Sequence, residues 1–187
     1  MGGQVNTNST LGSSNFDGDV TPANEVPVVK ANTSAGFSII SYTGQSGTYK
    51  VGHGLGVAPE LIITKNRGSV NSWWTHTTAV DGTLDYGGLN LNQGFQASDA
   101  YSISLPTSLT FGDDDDFTAN DTTAISYCFN SVSGYSKVGI YVGNGNASGS
   151  YVFCGFRPSF LLIKNTGATE DWYIYDSKIQ DDNVMGK

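Results

Sequence analysis

The sequence LIITKN at residues 61–66 and the sequence FLLIKN at residues 160–165 decide the fold class of this chain. Seven positions after its Asn, each run is followed by an aromatic pair, Trp73-Trp74 in the first case and Trp172-Tyr173 in the second. A short apolar run bounded by turn residues is typical of a buried β-strand. The two stretches therefore predict a buried apolar strand followed by an aromatic strand, in two copies of the same design, 99 positions apart.

The similarity extends over about 40 residues and predicts an internal repeat, because matching residue types at one fixed offset are the signature of repeated structure. The offset is 98 at the first glycine of each copy and 99 at the later positions. A proline precedes each apolar run, where its fixed φ and missing N–H suit the start of a strand. The repeat markers are Gly36, Pro59, Lys65, Asn66 and Trp73 in the first copy, and Gly134, Pro158, Lys164, Asn165 and Trp172 in the second.

Other short strand patterns alternate with Gly, Asn, Asp and Pro turns along the rest of the chain. They cover residues 36–43, 72–77, 101–111 (in part), 124–129, 135–142, 151–156 and 172–175. With 24 Gly, 10 Tyr and 9 Phe, the composition is that of a β-rich protein, and helices should be nearly absent. We predict an all-β fold, a β-sandwich or jelly roll with an internal repeat of about 99 residues whose second copy is incomplete.

The domain organisation follows from this repeat. Residues 1–30 are polar and Gly-rich, and we expect them to form a linker or an arm laid on a neighbour. Residues 31–133 form the first sandwich repeat and residues 134–187 the start of the second. We expect the second copy to be completed by later sequence or by another chain, or to pack with the first, and the chain to be part of a longer polypeptide.

The charge balance disfavours two classes of partner. The chain has 9 Lys plus Arg against 17 Asp plus Glu, for a net charge of −8, so its field repels nucleic acid and anionic lipid. No window is apolar enough for a membrane span. Cys128 and Cys154 both have apolar neighbours, which predicts buried thiols rather than a disulfide scaffold.

Metal and cofactor motifs are weak, and we expect no cofactor. The glycine-rich stretch at residues 52–56 lacks the Lys-Ser/Thr of a phosphate-binding loop. His53 and His76, the only two histidines, lie on different predicted elements, which disfavours zinc. The acidic run Asp113, Asp114, Asp115 and Asp116 predicts a solvated loop, with a weak calcium site as the alternative because it lacks the regular spacing of an EF-hand.

Catalytic signals are weak as well. Asp85, Asp99 and Asp171 could supply a glycosidase carboxylate pair, but any Asp-rich chain offers such pairs. No nucleophile motif is present. We therefore expect no enzymatic activity and assign no catalytic residues. Aromatic side chains on loops could stack on sugar rings, so carbohydrate binding remains an alternative.

Several strings together resemble a repeated domain of unknown function in tail-fibre-like and other virion proteins of marine tailed phages. The first group is ANTSAGFSII at 31–40, VGHGLGVAP at 51–59 and IITKNR at 62–67. The second is YCF at 127–129, GYSK at 134–137, GNG at 143–145, GFRP at 155–158 and DWYIYDS at 171–177. The resemblance covers about residues 28–180, and the acidic run at 113–116 departs from it in a variable loop.

This resemblance implies a structural or adhesive module of a phage appendage such as a tail fibre. It places the protein on the exterior of a virion that is assembled in the bacterial host cytoplasm. The implied partners are other virion proteins or copies of the chain itself, in a homo-oligomer such as a trimer, together with a host-surface glycan. A capsid decoration or cement protein and a carbohydrate-binding module for host-surface glycans are the alternatives.

Overall fold

The computed structural model describes residues 4–6 and 27–178 and shows an all-β protein. Among these residues the only helical element is a 3-10 helix at Ser98–Tyr101. No helix in the described ranges is long and apolar enough to cross a membrane. The strands are β1 Gln4–Asn6, β2 Val28–Asn32, β3 Phe37–Thr43, β4 Tyr49–Gly52, β5 Leu61–Asn66, β6 Trp73–Thr77, β7 Asp85–Gly88, β8 Gln96–Ala97, β9 Thr110–Asp113, β10 Thr123–Phe129, β11 Phe160–Ile163 and β12 Tyr173–Asp176.

The strands form three antiparallel sheets. The largest has eight strands in the order β1-β2-β3-β10-β5-β6-β7-β8, and two ribbons pair β4 with β9 and β11 with β12. Strand β10 lies between β3 and β5 and pairs with both, although it follows them by more than 50 residues in the chain. The central pairing is therefore non-local.

The main core lies between one face of the large sheet and the β4–β9 ribbon. Alternation along β3 and β5 sends Ile40 and Ile62 to the same face, where both are buried. Tyr49, Val51 and Phe111 of the ribbon belong to the same apolar cluster. Because alternate residues of a strand point to opposite faces, the inward side chains of β3 and β5 meet those of the ribbon on one side of the sheet. The arrangement is sandwich-like.

A buried carboxylate holds the ribbon to the sheet. Asp113 Oδ2 accepts hydrogen bonds from the hydroxyls of Tyr42 (2.6 Å) and Tyr49 (2.9 Å), and Asp113 Oδ1 accepts one from the Asp114 backbone N–H (2.9 Å). The Tyr42 hydroxyl also lies 3.1 Å from Ser126 Oγ, which lies 2.7 Å from Thr64 Oγ1. Burial raises the pKa of Asp113 above its ordinary value. The network ties strands of both layers together.

A second, aromatic cluster lies beyond the edge of the ribbon. Phe117 is its centre, with ring centroids 4.8 Å from His76 and Tyr101, 5.1 Å from Tyr86 and 5.2 Å from Trp74. Most of these contacts are edge-to-face, the geometry that aromatic pairs prefer. This cluster joins the loop after β9 to strands β6 and β7.

The predicted all-β class is confirmed, while several strand predictions change. Residues 36–43, 61–65, 72–77, 124–129, 160–164 and 172–175 fall on β3, β5, β6, β10, β11 and β12. Residues 135–142 and 151–156 were wrongly predicted as strands, because no neighbouring strand pairs with them in the described part of the chain. Of residues 101–111 only the end enters β9.

The amino-terminal prediction is tested only in part. Of residues 1–30, the described residues 4–6 form β1, which pairs with β2 along the edge of the large sheet. Residues 28–30 belong to β2, so this end of the predicted linker or arm is part of the sheet. Residues 1–3 and 7–26 of the predicted linker or arm lie outside the described residues.

His76 gives the stability a predicted pH dependence. Burial lowers its pKa to about 4, so the folded protein holds the ring neutral, and protonation favours the unfolded chain. The contribution of the neutral His76 ring to folding stability is fully present above pH 6.5 and is lost as the pH falls towards 4. Between pH 7.5 and 4.5 we expect His76 to account for a loss of about 2–3 kcal/mol in the free energy of unfolding, measured by urea denaturation.

The control for this prediction is His76→Phe, which keeps a flat ring but cannot titrate. His53 also has a pKa lowered by burial and adds acid sensitivity of the same sign. Its contribution is common to both proteins and cancels when their pH profiles are subtracted. Parallel profiles for the two proteins would contradict the assignment to His76.

Candidate interaction surface

The hairpin β11–β12 has the same register as the hairpin β5–β6, 99 positions earlier. Leu61 pairs with Thr77 and Thr64 with Trp74 in the first hairpin, while Phe160 pairs with Asp176 and Ile163 with Tyr173 in the second. We call residues 27–133 the first block and residues 134–178 the second block. The two hairpins therefore share their register, although β5–β6 lies inside the large sheet and β11–β12 forms a ribbon of its own.

The Lys-Asn turns after β5 and β11 are built in the same way. Lys65 Nζ donates to the carbonyls of Asn66 (2.7 Å) and Asn71 (2.9 Å). Lys164 Nζ donates to the carbonyls of Asn165 (2.8 Å) and Ala168 (3.3 Å). In both turns the Asn side chain accepts backbone N–H groups two residues on, which is the local bonding that suits Asn to turns.

The remaining repeat markers also take up comparable positions. Gly36 and Gly134 both have positive φ, at 62° and 74°, which favours glycine at each turn. Pro59 is fully buried before β5, whereas Pro158 is half-buried before β11. Trp73 begins β6, and Trp172 immediately precedes β12.

A joint connects the two blocks through the loop at residues 88–95 and the turn at residues 164–172. The backbone N–H of Phe95 donates to the Thr166 carbonyl (2.8 Å), and that of Glu170 donates to the Asn92 carbonyl (2.8 Å). Trp172 Nε1 donates to the Gly88 carbonyl (2.9 Å), and the rings of Phe95 and Trp172 lie 5.9 Å apart. The second hairpin is therefore anchored on the first block at its turn.

Beyond the joint, the second block leaves its apolar side chains uncovered. Tyr42 and Ile62 are 3% and 2% exposed, whereas Tyr141 and Leu161, 99 positions later, are 47% and 38% exposed. The exposed large apolar residues of this block are Tyr135, Ile140, Tyr141, Val142, Tyr151, Val152, Phe153, Phe160, Leu161, Tyr173, Ile174 and Tyr175. On the hairpin they lie on both sides, because Leu161 is opposite Tyr175 and the neighbouring Phe160 and Ile174 point the other way. Exposed apolar surface of this extent marks a site of interaction. We call this set of residues the open face.

The acidic run is divided between the core and the surface. Asp113 and Asp114 are buried, contrary to the expected solvated loop, because Asp113 turns inward to Tyr42 and Tyr49. Asp115 is half-buried and Asp116 is exposed. Among the described residues, no three His, Cys, Asp or Glu side chains are arranged to hold a metal ion.

The other candidate polar residues are dispersed. His53 is buried, and its Nδ1 accepts the Leu55 backbone N–H within the corner at residues 52–56. Its Nε2 lies 3.1 Å from the Thr107 carbonyl oxygen, so both ring nitrogens have partners. Burial, then the charges of Asp81 and Asp99, raise the pKa of Asp85. Asp171 lies elsewhere, in a shallow groove beside Trp172.

Both cysteines are free, but only Cys128 matches the expected buried thiol. Cys128 lies in the core and burial raises its pKa, which makes it unreactive, while Cys154 is half-buried in the second block. Neither the buried Asp113 network nor the joint was indicated by the sequence. Both depend on contacts between residues that are distant along the chain.

Comparison with known proteins gives one match. The sequence fits the family described as a domain of unknown function, DUF7483, over residues 6–187. The chain belongs to this family. No curated protein and no solved structure matches it. This DUF7483 domain spans both blocks and the joint, so the family is defined over the packed block and the open face together.

Proposed function

We propose that this chain is a structural and adhesive module of a tailed-phage virion appendage, a tail fibre or fibre-like protein. The observation that carries the proposal is the open face of the second block beside a first block that contains two packed apolar clusters. A module whose apolar surface is left uncovered on one side, and anchored by a joint on the other, is suited to assembly with neighbours. The resemblance of its motifs to virion proteins supplies the location.

The proposal includes an internal repeat of about 99 residues on a jelly-roll-like plan. It is supported by the common register of β5–β6 and β11–β12, by the equivalent Lys-Asn turns and by the positive φ of Gly36 and Gly134. In repeat proteins each unit buries its surface against the next, so an incompletely buried unit is expected at a junction. On this reading the domain forms homo-oligomers or mixed assemblies with other virion proteins.

A carbohydrate-binding module is the second candidate, favoured by the groove at the joint. Trp172 and Asp171 line this groove together with Leu89, Asn90, Leu91 and Asn92. An aromatic ring beside amide and carboxylate groups is a combination that suits sugar rings and their hydroxyls. Binding of host polysaccharide to the isolated chain, lost on Trp172→Ala, would favour this candidate.

Immunogold electron microscopy of purified particles tests the proposed location. An antibody raised against residues 28–178 is expected to label the tail fibres of the phage that encodes this chain, and antibody pre-absorbed with the protein is the control. Label over the head would instead indicate a capsid decoration protein. Particles without label would refute a place in the virion.

A further inference from the structure

The outer edge of β11 has the same position in the second block as the edge of β5 that β10 covers in the first. In the first block, β5 pairs with β6 on one side and with β10 on the other, from Leu61 opposite Phe129 to Asn66 opposite Ala124. Within the described residues, β11 pairs only with β12. An uncovered strand edge offers a row of backbone donors and acceptors to an incoming strand.

The side chains beside this edge also lack the neighbour that β10 provides in the first block. Ile62 is buried in one core cluster with Cys128 of β10, the residue opposite it, whereas Leu161, its counterpart 99 positions later, is exposed. Leu161 lies on the hairpin itself, whose internal pairing is complete. A two-stranded hairpin is only marginally stable in water, and a third strand on its edge adds both hydrogen bonds and apolar cover.

The first block specifies what this strand looks like. In β10 the residues that point into the core are small, Ala124, Ser126 and Cys128, and all are fully buried. The residues of the opposite face, Ile125, Tyr127 and Phe129, are large and half-buried. The fitting partner is therefore an extended strand that alternates small with large apolar side chains and runs antiparallel to β11.

A second copy of this chain is a poor donor of that strand. Its β10 is already paired along its length with both β3 and β5 and contributes to the core. If one copy released its β10 to pair with β11 of another copy, the donor would lose the central strand of its own first block. The new pairing would only replace the pairing that was lost. A partner segment outside residues 1–187 avoids this loss.

We propose that β11 is an acceptor edge for a single β-strand of the β10 type, supplied by a partner polypeptide segment and paired antiparallel with residues 160–163. The strand covers the open face at Leu161 and makes β11 a central strand. This mode of recognition, in which a sheet is extended by a foreign strand, gains affinity from the main chain and specificity from alternate side chains. It stands or falls independently of the virion location.

The test uses the whole 187-residue chain and a synthetic peptide with the sequence of residues 122–130, with Cys128→Ser to prevent oxidation and flanking lysines for solubility. We expect saturable binding with one peptide per chain in titration calorimetry. Hydrogen exchange should slow at residues 160–163 and remain unchanged at residues 61–66. A peptide of the same composition but scrambled alternation is the control ligand and should not bind.

Two protein variants localise the binding. Leu161→Asp places a charge on the covered face and is expected to weaken binding at least tenfold, while the matched control Val70→Asp, at a fully exposed position of the first block, leaves it unchanged. Circular dichroism and hydrogen exchange in the first block verify that both variants fold.

Three results would overturn the proposal. The first is no binding at peptide concentrations up to about 1 mM. The second is protection at β5 in place of β11, which would mean that the peptide exchanges with the chain's own β10. The third is self-association of the peptide-free chain with β11 protected, which would make another copy the occupant.

Discussion

Asp113→Ala is expected to lower the free energy of unfolding by about 4 kcal/mol. The change leaves the hydroxyl of Tyr49 and the backbone N–H of Asp114 without their acceptor, and it removes the shorter of two contacts from the hydroxyl of Tyr42. A buried donor that loses its partner costs about 1–3 kcal/mol, and the relief of burying a carboxylate offsets part of the total. Urea denaturation at pH 7 measures the difference.

The matched control comes from the same acidic run. Asp116→Ala removes a carboxylate from an exposed position and should change stability by less than about 0.5 kcal/mol. Asp113→Asn keeps the volume and one acceptor oxygen, so it should lose less than Asp113→Ala. If the alanine variants at 113 and 116 had equal stability, the buried network would contribute nothing.

Phe117→Ala is expected to lower the free energy of unfolding by about 3–5 kcal/mol, the usual range for removing a buried Phe from a core. The ring is fully buried and contacts the rings of Trp74, His76, Tyr86 and Tyr101, so its loss leaves a cavity at the centre of the aromatic cluster. Thermal and urea unfolding measure the effect. Near-ultraviolet circular dichroism should also lose intensity as the packed rings loosen.

Phe153→Ala is the matched control, because it deletes the same side chain from the second block, where Phe153 is 75% exposed. We expect a change below about 0.5 kcal/mol in the isolated chain. A comparable loss at both positions would mean that Phe153 is packed in solution, which would contradict the open face.

The sequence predicted those parts of the fold that depend on local pattern. The runs at residues 61–66 and 160–165 identified β5 and β11, because an apolar run that ends in turn residues can be recognised as a strand without knowledge of the strands that pair with it. The aromatic residues 99 positions after Trp73-Trp74 likewise identified β12, whose pairing with β11 comes from the structure. Strand β7 was missed because Asp85-Tyr-Gly-Gly has no strand pattern, and it is held in place by pairing with β6.

The candidate sites were harder to predict because they depend on contacts across the chain. The acidic run looked like a solvated loop, yet Tyr42 and Tyr49, some 60 to 70 residues earlier, supply the donors that draw Asp113 inward. Residues 135–142 have the apolar content of a strand, but a strand requires a neighbour, and none of the described residues provides one. Composition alone cannot distinguish these cases.

The joint has a consequence for how members of this family can diverge. Its acceptors are backbone carbonyls of Gly88, Asn92 and Thr166, and two of its donors are the backbone N–H groups of Phe95 and Glu170. A contact made mainly by the main chain tolerates the replacement of most side chains in the loops that form it. Gly94 is an exception, because a Cβ there would lie 2.8 Å from the Thr166 carbonyl oxygen. Elsewhere in these loops, surface chemistry can change without loss of the hydrogen bonds that join the two blocks.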